Sequence, residues 1–219
     1  MKQLSLGLGT KTPEQILVIG AHSDDIEIGC GGTILRLVRD YPASTIHWVV
    51  LSAKGERESE ARQSAGQFLA GAARSDVQCR EFRDGFFPYS GGEIKDVFEQ
   101  LKNTLTPDVI FTHYHADAHQ DHRIVNELTW NTWRDHLILE YEIPKYDGDF
   151  GNPNLFVEVD DELARRKVTI LQNSFVSQRT KRWFTDDTFL GLMRVRAVQA
   201  GVQSRYVEAF YIRKAVARF

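Results

Sequence analysis

The amino-acid sequence predicts a Rossmann-like three-layer α/β/α domain, in which a mostly parallel sheet lies between two layers of helices. Short apolar runs alternate with amphipathic segments along the chain, and no internal repeat or linker-like stretch interrupts them. This alternation is typical of βαβ units, whose parallel strands are covered on both faces. We expect residues 1–219 to form a single domain, because two full domains would be small at this length.

The first half of the chain contains three predicted strands, each followed by a helix. The runs QILVIGA and TIHWVVLSA predict strands at Gln15–Ala21 and Thr45–Ala53, because short continuous apolar runs are typical of strands buried on both faces. A third strand is expected at Val77–Phe82. The helices of this half are predicted at Gly31–Arg39, Glu58–Leu69 and Ile94–Leu105.

The second half continues the alternation, and DVIFTH predicts a fourth strand at Asp108–His113. Later strands are predicted at Leu137–Ile143, Asn154–Val159 and Glu208–Arg213. The helices of this half are predicted at His119–Arg134, Asp161–Gln178 and Thr188–Ala200. Because sites in parallel sheets form beyond the carboxyl ends of the strands, we expect the functional residues to follow the predicted strands.

Composition and charge exclude several classes of protein. A net charge of −3 and a pI of about 6.2 give no global basic field for nucleic acid or an anionic membrane. No apolar run reaches the roughly 18 residues of a membrane span, and the N-terminal MKQLSLGLGTKTPEQ lacks the apolar core of a secretory signal. The two cysteines, Cys30 and Cys79, are expected to be reduced thiols. We therefore expect a cytoplasmic protein that acts on a small molecule, and the sequence is compatible with a homo-oligomer.

The segment GAHSDDIEIGCGG places His22, Asp24 and Asp25 between the first strand and a glycine cluster, Gly29–Gly32. A nucleotide loop is disfavoured, because these acids would repel a pyrophosphate and the spacing is not G-x-G-x-x-G. A metal site fits better, since imidazole and carboxylate are zinc ligands and a second aspartate could take a proton from water. On this segment alone, an aspartate that merely caps a helix remains an equal alternative.

A second polar cluster follows the fourth strand in THYHADAHQDHR, which contains His113, His115, His119, His122, Asp117 and Asp121. This density of histidine favours a metal site over surface solvation. His122 would complete a set with His22 and Asp25, and three protein ligands leave one zinc position open for catalysis. His119 could then polarise a carbonyl or protonate a leaving group, with Asp121 fixing its tautomer.

The residues from His113 to Asp117 also resemble the H-x-H-x-D-H start of metallo-β-lactamase-type hydrolases. That pattern requires a histidine where this chain has Ala118, and it belongs to a two-sheet sandwich. The predicted βαβ alternation therefore disfavours it.

GAHSDDIEIGCGG and HQDH together resemble the A-H-P-D-D and H-x-D-H motifs of the LmbE-like, or PIG-L, zinc-dependent N-deacetylases. The likeness extends to the C-terminal part of the chain, at Lys167, Ser177-Gln178 and Glu208-Ala209-Phe210. One departure is Ser23, where proline is usual, and it removes no ligand. The resemblance implies a hydrolase that removes an N-acetyl group from an amino sugar or an amino-sugar conjugate.

The resemblance also implies the cofactor and the roles of the site residues. It implies Zn²⁺, with another divalent metal such as Fe²⁺ as an alternative, bound by His22, Asp25 and His122. It implies Asp24 as the general base, and His119, with Asp121 beside it, as the group that stabilises the oxyanion or donates a proton.

A substrate-binding arginine is also implied. In ESEARQSA, Arg62 is similar in placement to the family's arginine, and Arg57 is a close competitor. The segment Glu140–Asn152 is a candidate lining for a substrate pocket. Two rival functions stay open: another metal-dependent amidase or esterase on this scaffold, and a non-enzymatic nucleotide-binding domain.

Overall fold

The structure, a computed structural model, describes residues 13–216, which form seven strands and six α-helices in the predicted order. The strands are β1 Gln15–His22, β2 Thr45–Ser52, β3 Arg74–Cys79, β4 Val109–His113, β5 Leu137–Tyr141, β6 Leu155–Val159 and β7 Tyr206–Tyr211. The helices are α1 Asp25–Asp40, α2 Glu56–Phe68, α3 Gly91–Thr104, α4 Gln120–Thr132, α5 Asp161–Ser174 and α6 Asp186–Ala200. Residues 1–12, where the sequence predicts no secretory signal, lie outside the described residues.

The strands form one sheet in the order β3-β2-β1-β4-β5-β7-β6. The first five strands of this order are parallel, and β7 is antiparallel to both of its neighbours. The chain leaves β1 toward β2 and β3 on one side, and later continues from β4 to β5 on the other. The strand order therefore reverses between β1 and β4, and in open α/β sheets this is where ligands bind.

Alternating side chains of the central strands enter two separate cores. Ile16 and Val18 pack with residues of α1, α2, α5 and α6 on one face of the sheet. Leu17 and Ile19 pack with residues of α3 and α4 on the other face. The predicted three-layer architecture is confirmed, and it explains why β1 is apolar at every position between its ends.

Helix α1 begins at Asp25, six residues before the predicted start, so that the glycine cluster lies inside the helix. The reason is close packing. A Cβ atom on Gly29 would lie 2.2 Å from Cδ2 of Tyr141, and one on Gly31 would lie 2.7 Å from Cε1 of Phe68. Both aromatic rings are fully buried. The glycines let α1 lie close to its neighbours, at a helix-propensity cost of about 1 kcal/mol each, and they form no phosphate-binding loop.

A buried ion pair fixes α1 from the side of α5 and β7. Lys167 Nζ lies 2.7 Å from Glu208 Oε1, and both side chains are almost completely buried. Glu208 accepts hydrogen bonds from the backbone N–H groups of Gly32 and Thr33, at 2.8 and 2.6 Å, and Lys167 donates to the carbonyl of Ile28 at 2.7 Å. These bonds satisfy charges whose burial would otherwise cost several kcal/mol each.

Smaller differences from the sequence predictions also have local causes. Strand β3 begins at Arg74 because its pairing with β2 runs from Thr45↔Arg74 to Val50↔Cys79. Helix α5 ends at Ser174, and a short 3₁₀ turn over Val176–Gln178 follows. Both cysteines are free thiols, as expected. Among residues 13–216, no helix combines the length and the apolar character that crossing a membrane requires.

We expect Gly29→Ala to destabilise the protein by about 1–3 kcal/mol, because the new methyl group overlaps the buried Tyr141 ring. The matched control is Gly66→Ala in the exposed part of α2, where an added Cβ meets no atom within 4 Å. That change should be neutral or stabilising by up to about 1 kcal/mol. Urea unfolding measures both free energies, and equal values for the two variants would contradict the packing argument.

Candidate metal and catalytic site

The carboxyl ends of β1 and β4 and the first turns of the following helices supply one polar cluster. His22 is the last residue of β1, and Asp24 and Asp25 begin the next segment. His113 is the last residue of β4, and His122 lies in the first turn of α4. Parallel pairing of β1 with β4 brings residues about one hundred positions apart into contact. The two motifs therefore form one site, as expected.

His22, Asp25 and His122 hold three donor atoms at nearly equal separations. His22 Nδ1 lies 3.2 Å from both His122 Nε2 and Asp25 Oδ2, and His122 Nε2 lies 3.4 Å from Asp25 Oδ2. Around a tetrahedral zinc ion with bonds of about 2.0–2.1 Å, ligand atoms are about 3.3–3.4 Å apart. These residues therefore fit zinc, or a similar divalent ion, in donor type and in spacing.

Two carboxylates orient the histidines of this set. Asp117 Oδ2 accepts from Nδ1 of His122 at 2.9 Å, and Asp121 Oδ2 contacts Nε2 of His22 at 3.3 Å. If each carboxylate accepts the N–H of one ring nitrogen, the other ring nitrogen would present its lone pair to a metal ion. Carboxylates of this kind raise the basicity of metal-binding histidines and fix their tautomers.

The partner of Asp121 differs from the one that the sequence predicts. Its carboxylate contacts His22 rather than His119, and it is also fixed by the backbone N–H groups of Gly85 and Phe87 at 2.7 and 3.1 Å. The ring of His119 instead turns back over the start of α4, where its Nδ1 accepts the backbone N–H of Asp121 at 3.2 Å. Helix capping therefore determines the orientation of His119.

The electrostatics of the cluster favour a bound cation. Burial opposes ionisation of Asp25, but the neighbouring His122 and His22 lower its pKa well below the usual value. Burial likewise disfavours positive charge on His22, yet the negative charge of Asp25 raises its pKa well above the usual value. Asp25 is thus an anion surrounded by groups that share positive charge. A divalent ion would replace the protons of these histidines.

His113 packs against the cluster from the interior of the protein. It is fully buried, its Nε2 accepts the backbone N–H of Ala21 at 2.9 Å, and its ring stacks on that of His122 at 3.9 Å. Burial lowers the pKa of His113 to about 4, so it is neutral. His115 instead lies half-exposed against Glu140, with 2.9 Å between Nδ1 and Oε2. His113 Nε2 also lies 3.3 Å from Asp25 Oδ2, so Asp25, His113 and His122 form a second group that could hold a metal ion, but the bond from Ala21 occupies this nitrogen. His115 lies outside both groups.

Asp24 is held apart from the donor set by an arginine. It occupies the N-cap position of α1, but its side chain makes no capping hydrogen bond. Its Oδ1 accepts instead from Nη2 of Arg57 at 2.8 Å, and the side chain is only 7% exposed. The simple helix-cap interpretation is therefore wrong for Asp24, and its second oxygen is available for chemistry.

The structure brings Arg57, and not Arg62, to the cluster. Arg57 also donates to Glu60 at 3.2 Å and to Ser177 at 3.1 Å. Arg62 is exposed and pairs with Glu58 at 2.8 Å on the side of α2 that faces β3. The two arginines are five positions apart, which corresponds to about 140° around a helix, so they face different directions. The structure therefore does not bring Arg62 to the cluster, and of the two arginine candidates only Arg57 contacts it.

Two further residues, which the sequence did not single out, reach the cluster. Asp84, in the turn after β3, places Oδ1 3.1 Å from Nε2 of His22. Its position beyond the carboxyl end of a strand was the available signal. Lys145, in the segment after β5, places Nζ 3.0 Å from Asp117 Oδ2. Nothing in the sequence around Lys145 indicated this contact.

The mostly parallel sheet and the His/Asp cluster at its switch point define an α/β protein with a candidate metal site. The model of the PIG-L family, described as GlcNAc-PI de-N-acetylase, matches residues 17–133, just over half of the chain. The uncharacterized deacetylase YaiS of Escherichia coli (strain K12) is 30% identical over 173 residues, which cover 72% of this chain and 88% of YaiS. The chain belongs to the PIG-L family of deacetylases, as its motifs predicted.

Two solved structures share the fold. The N,N'-diacetylchitobiose deacetylase of Pyrococcus horikoshii superposes with a TM-score of 0.69 at 22% identity, covering 95% of this chain and 86% of that one. GalB, the 4-carboxy-2-hydroxymuconate hydratase of Pseudomonas putida KT2440, superposes with a TM-score of 0.72 at 16% identity, covering 94% and 98%. One architecture thus serves a deacetylase and a hydratase, so the fold alone does not determine the reaction.

We expect His122→Ala to abolish tight zinc binding, because it removes one of the three donor atoms. Asp117→Asn should weaken binding by about 10–100-fold, as losing the carboxylate behind a metal-binding histidine commonly does. Asp135→Asn, a change at a side chain that is 91% exposed, serves as the matched control. Chelator competition measures the affinities, and unchanged affinity in His122→Ala would contradict the assigned donor set.

Proposed function

We propose that the protein is a metal-dependent N-deacetylase that hydrolyses the N-acetyl group of an amino sugar or amino-sugar conjugate and releases acetate. The observation that carries the proposal is the separation of two adjacent carboxylates. Asp25 belongs to a three-atom donor set with the spacing of a zinc site, whereas Asp24 is held beside it by Arg57. Membership of a deacetylase family supports an amide substrate, and the deacetylase of P. horikoshii supports a sugar.

His22, Asp25 and His122 would hold the zinc ion. When bound, zinc supplies a Lewis acid that polarises the amide carbonyl and makes water more acidic. Asp24 is the general base: its oxygen that is free of Arg57 accepts a proton from the attacking water. The hydrogen bond from Arg57 fixes the carboxylate, so that the base does not rotate away during proton transfer.

We assign His119 the role of stabilising the oxyanion that develops on the carbonyl oxygen, because its ring lies 4.6 Å from that of His122. Burial, and then the nearby His122, lower the pKa of His119, so the ring is neutral. Its Nδ1 accepts the N–H of Asp121, and the proton of a neutral ring is then on Nε2. An N–H donor of this kind is suited to an oxyanion. As the C–N bond breaks, the proton held by Asp24 passes to the amine nitrogen, and acetate is the other product.

Different observations separate the two rival functions from the proposed deacetylase. Another metal-dependent amidase or esterase would use the same residues, and only a panel of substrates separates it from the deacetylase. A nucleotide-binding domain would need a glycine loop, and the glycines here pack inside α1. The observations therefore favour a hydrolase.

We expect Asp24→Asn to lower turnover by about 10²–10⁴-fold, the contribution of a general base, while zinc content stays unchanged. Acetate release from a panel of N-acetylated sugars and conjugates measures this, with the zinc-loaded wild type alongside. Full turnover in the variant would contradict the role of Asp24. Absence of release from every N-acetyl substrate, together with hydrolysis of other amides or esters, would favour the alternative hydrolase.

Arg57→Met and Arg62→Met form a matched pair of substitutions within α2. We expect Arg57→Met to lower kcat/KM by about 10–100-fold, because Asp24 loses a charge-assisted hydrogen bond. Arg62→Met should stay within about threefold of the wild type, since its exposed ion pair contributes little. Acetate release again provides the measurement, and the opposite ranking would restore Arg62 as the site residue.

A further inference from the structure

Residues 142–151, which lie in the loop between β5 and β6, are anchored at both ends by one buried arginine. Glu142 accepts hydrogen bonds from Nε and Nη2 of Arg196 in α6, at 2.7 and 2.6 Å. The same guanidinium reaches the carbonyl of Gly151 at 3.3 Å, and the N–H of Gly151 donates to Tyr211 Oη at 3.0 Å. The ion pair between Arg196 and Glu142 is more than 90% buried. The two ends of the loop are therefore fixed to α6 and β7.

The middle of this loop is bonded to the turn that precedes α4. Lys145 Nζ lies 3.0 Å from Asp117 Oδ2 and 2.5 Å from Asp149 Oδ2. Asp149 in turn accepts the backbone N–H of Ala118 at 2.7 Å. The side chain of Lys145 is only 10% exposed, so its ammonium group is committed to these carboxylates rather than to solvent. Two independent contacts therefore join the loop to the turn.

Asp117 connects this contact to the donor set. The oxygen that meets Lys145 is the same Oδ2 that accepts from Nδ1 of His122, while Oδ1 accepts the backbone N–H of His119 at 2.8 Å. With the carboxylate 2% exposed, solvent cannot replace a lost partner. Removing the ammonium would leave a buried negative charge with fewer partners, and the carboxylate would shift or rotate. The ring of His122 would then lose its fixed direction.

We propose that Lys145 is a positioning residue, which holds Asp117 and thereby directs His122 Nε2 at the bound metal ion. The inference rests on the proposed metal site. The proposal also gives the anchored loop a function. Tyr146 and Phe150, which follow Lys145 and Asp149 in the sequence, are 72% and 45% exposed. A loop that is anchored at three points can form a fixed wall of a site, in addition to connecting two strands.

A double-mutant cycle tests this assignment through zinc affinity, without requiring a substrate. Lys145→Met, Asp117→Asn and the double variant are compared with the wild-type protein by chelator competition. Lys145→Met should weaken zinc binding about tenfold in the wild-type background. It should have almost no further effect in the Asp117→Asn background, because the lysine acts through that carboxylate. Tyr146→Ala, in the same loop but without a contact to Asp117, should leave affinity unchanged.

Other outcomes overturn the proposal in identifiable ways. A purely structural lysine would lower the melting temperature of Lys145→Met and leave the zinc affinity of the folded protein unchanged. An equal loss of affinity in both backgrounds would show that Lys145 acts by a route other than Asp117. Zinc binding by the wild type without any deacetylation would contradict the proposed reaction and leave the result on Lys145 standing. A wild-type protein that bound no divalent ion would overturn both proposals.

Discussion

The position of helix α1 is the constraint on which the candidate site depends. Asp24 and Asp25 lie at the start of this helix, so a shift of α1 moves both carboxylates relative to the histidines of β1 and α4. The buried pair of Lys167 and Glu208 bonds directly to the α1 backbone and joins it to α5 and β7. Removing either partner would leave an uncompensated charge in the interior, which usually destabilises a protein far more than losing a surface ion pair. The C-terminal part of the chain thus fixes the N-terminal motif.

Two neighbouring carboxylates have different environments because of simple helix geometry. Successive residues at a helix start point about 100° apart. Asp25 therefore faces the histidines, while Asp24 faces α2, where Arg57 lies one turn or less from the start of that helix. No long loop or second domain is needed to separate the proposed metal ligand from the proposed base. The proposed division of tasks follows from one peptide step and from the helix that packs beside it.

Most of the fold could be predicted from the sequence, because strands buried on both faces must be apolar throughout. β1, β2 and β4 were predicted to within one residue at each end. Helix α1 was misplaced at its start, because glycine has low helix propensity and the approach of Tyr141 cannot be seen in a sequence. The proximity of His22, Asp25 and His122 could be predicted because these residues follow adjacent strands. The choice of Arg57, the partner of Asp121 and the contact of Lys145 depend on side-chain directions across three dimensions, which spacing along the chain does not encode.

The pairing of β1 with β4 determines when the site can form as the chain is synthesised. Ile16 pairs with Val109, so the central strand lacks one neighbour until more than ninety further residues have been made. His122 emerges later still, and an incomplete chain holds only part of the donor set. An ion that binds the completed set stabilises the native state alone, by mass action. Capture of the proposed metal ion would therefore be a late event for the nascent chain, after the closure of a long loop.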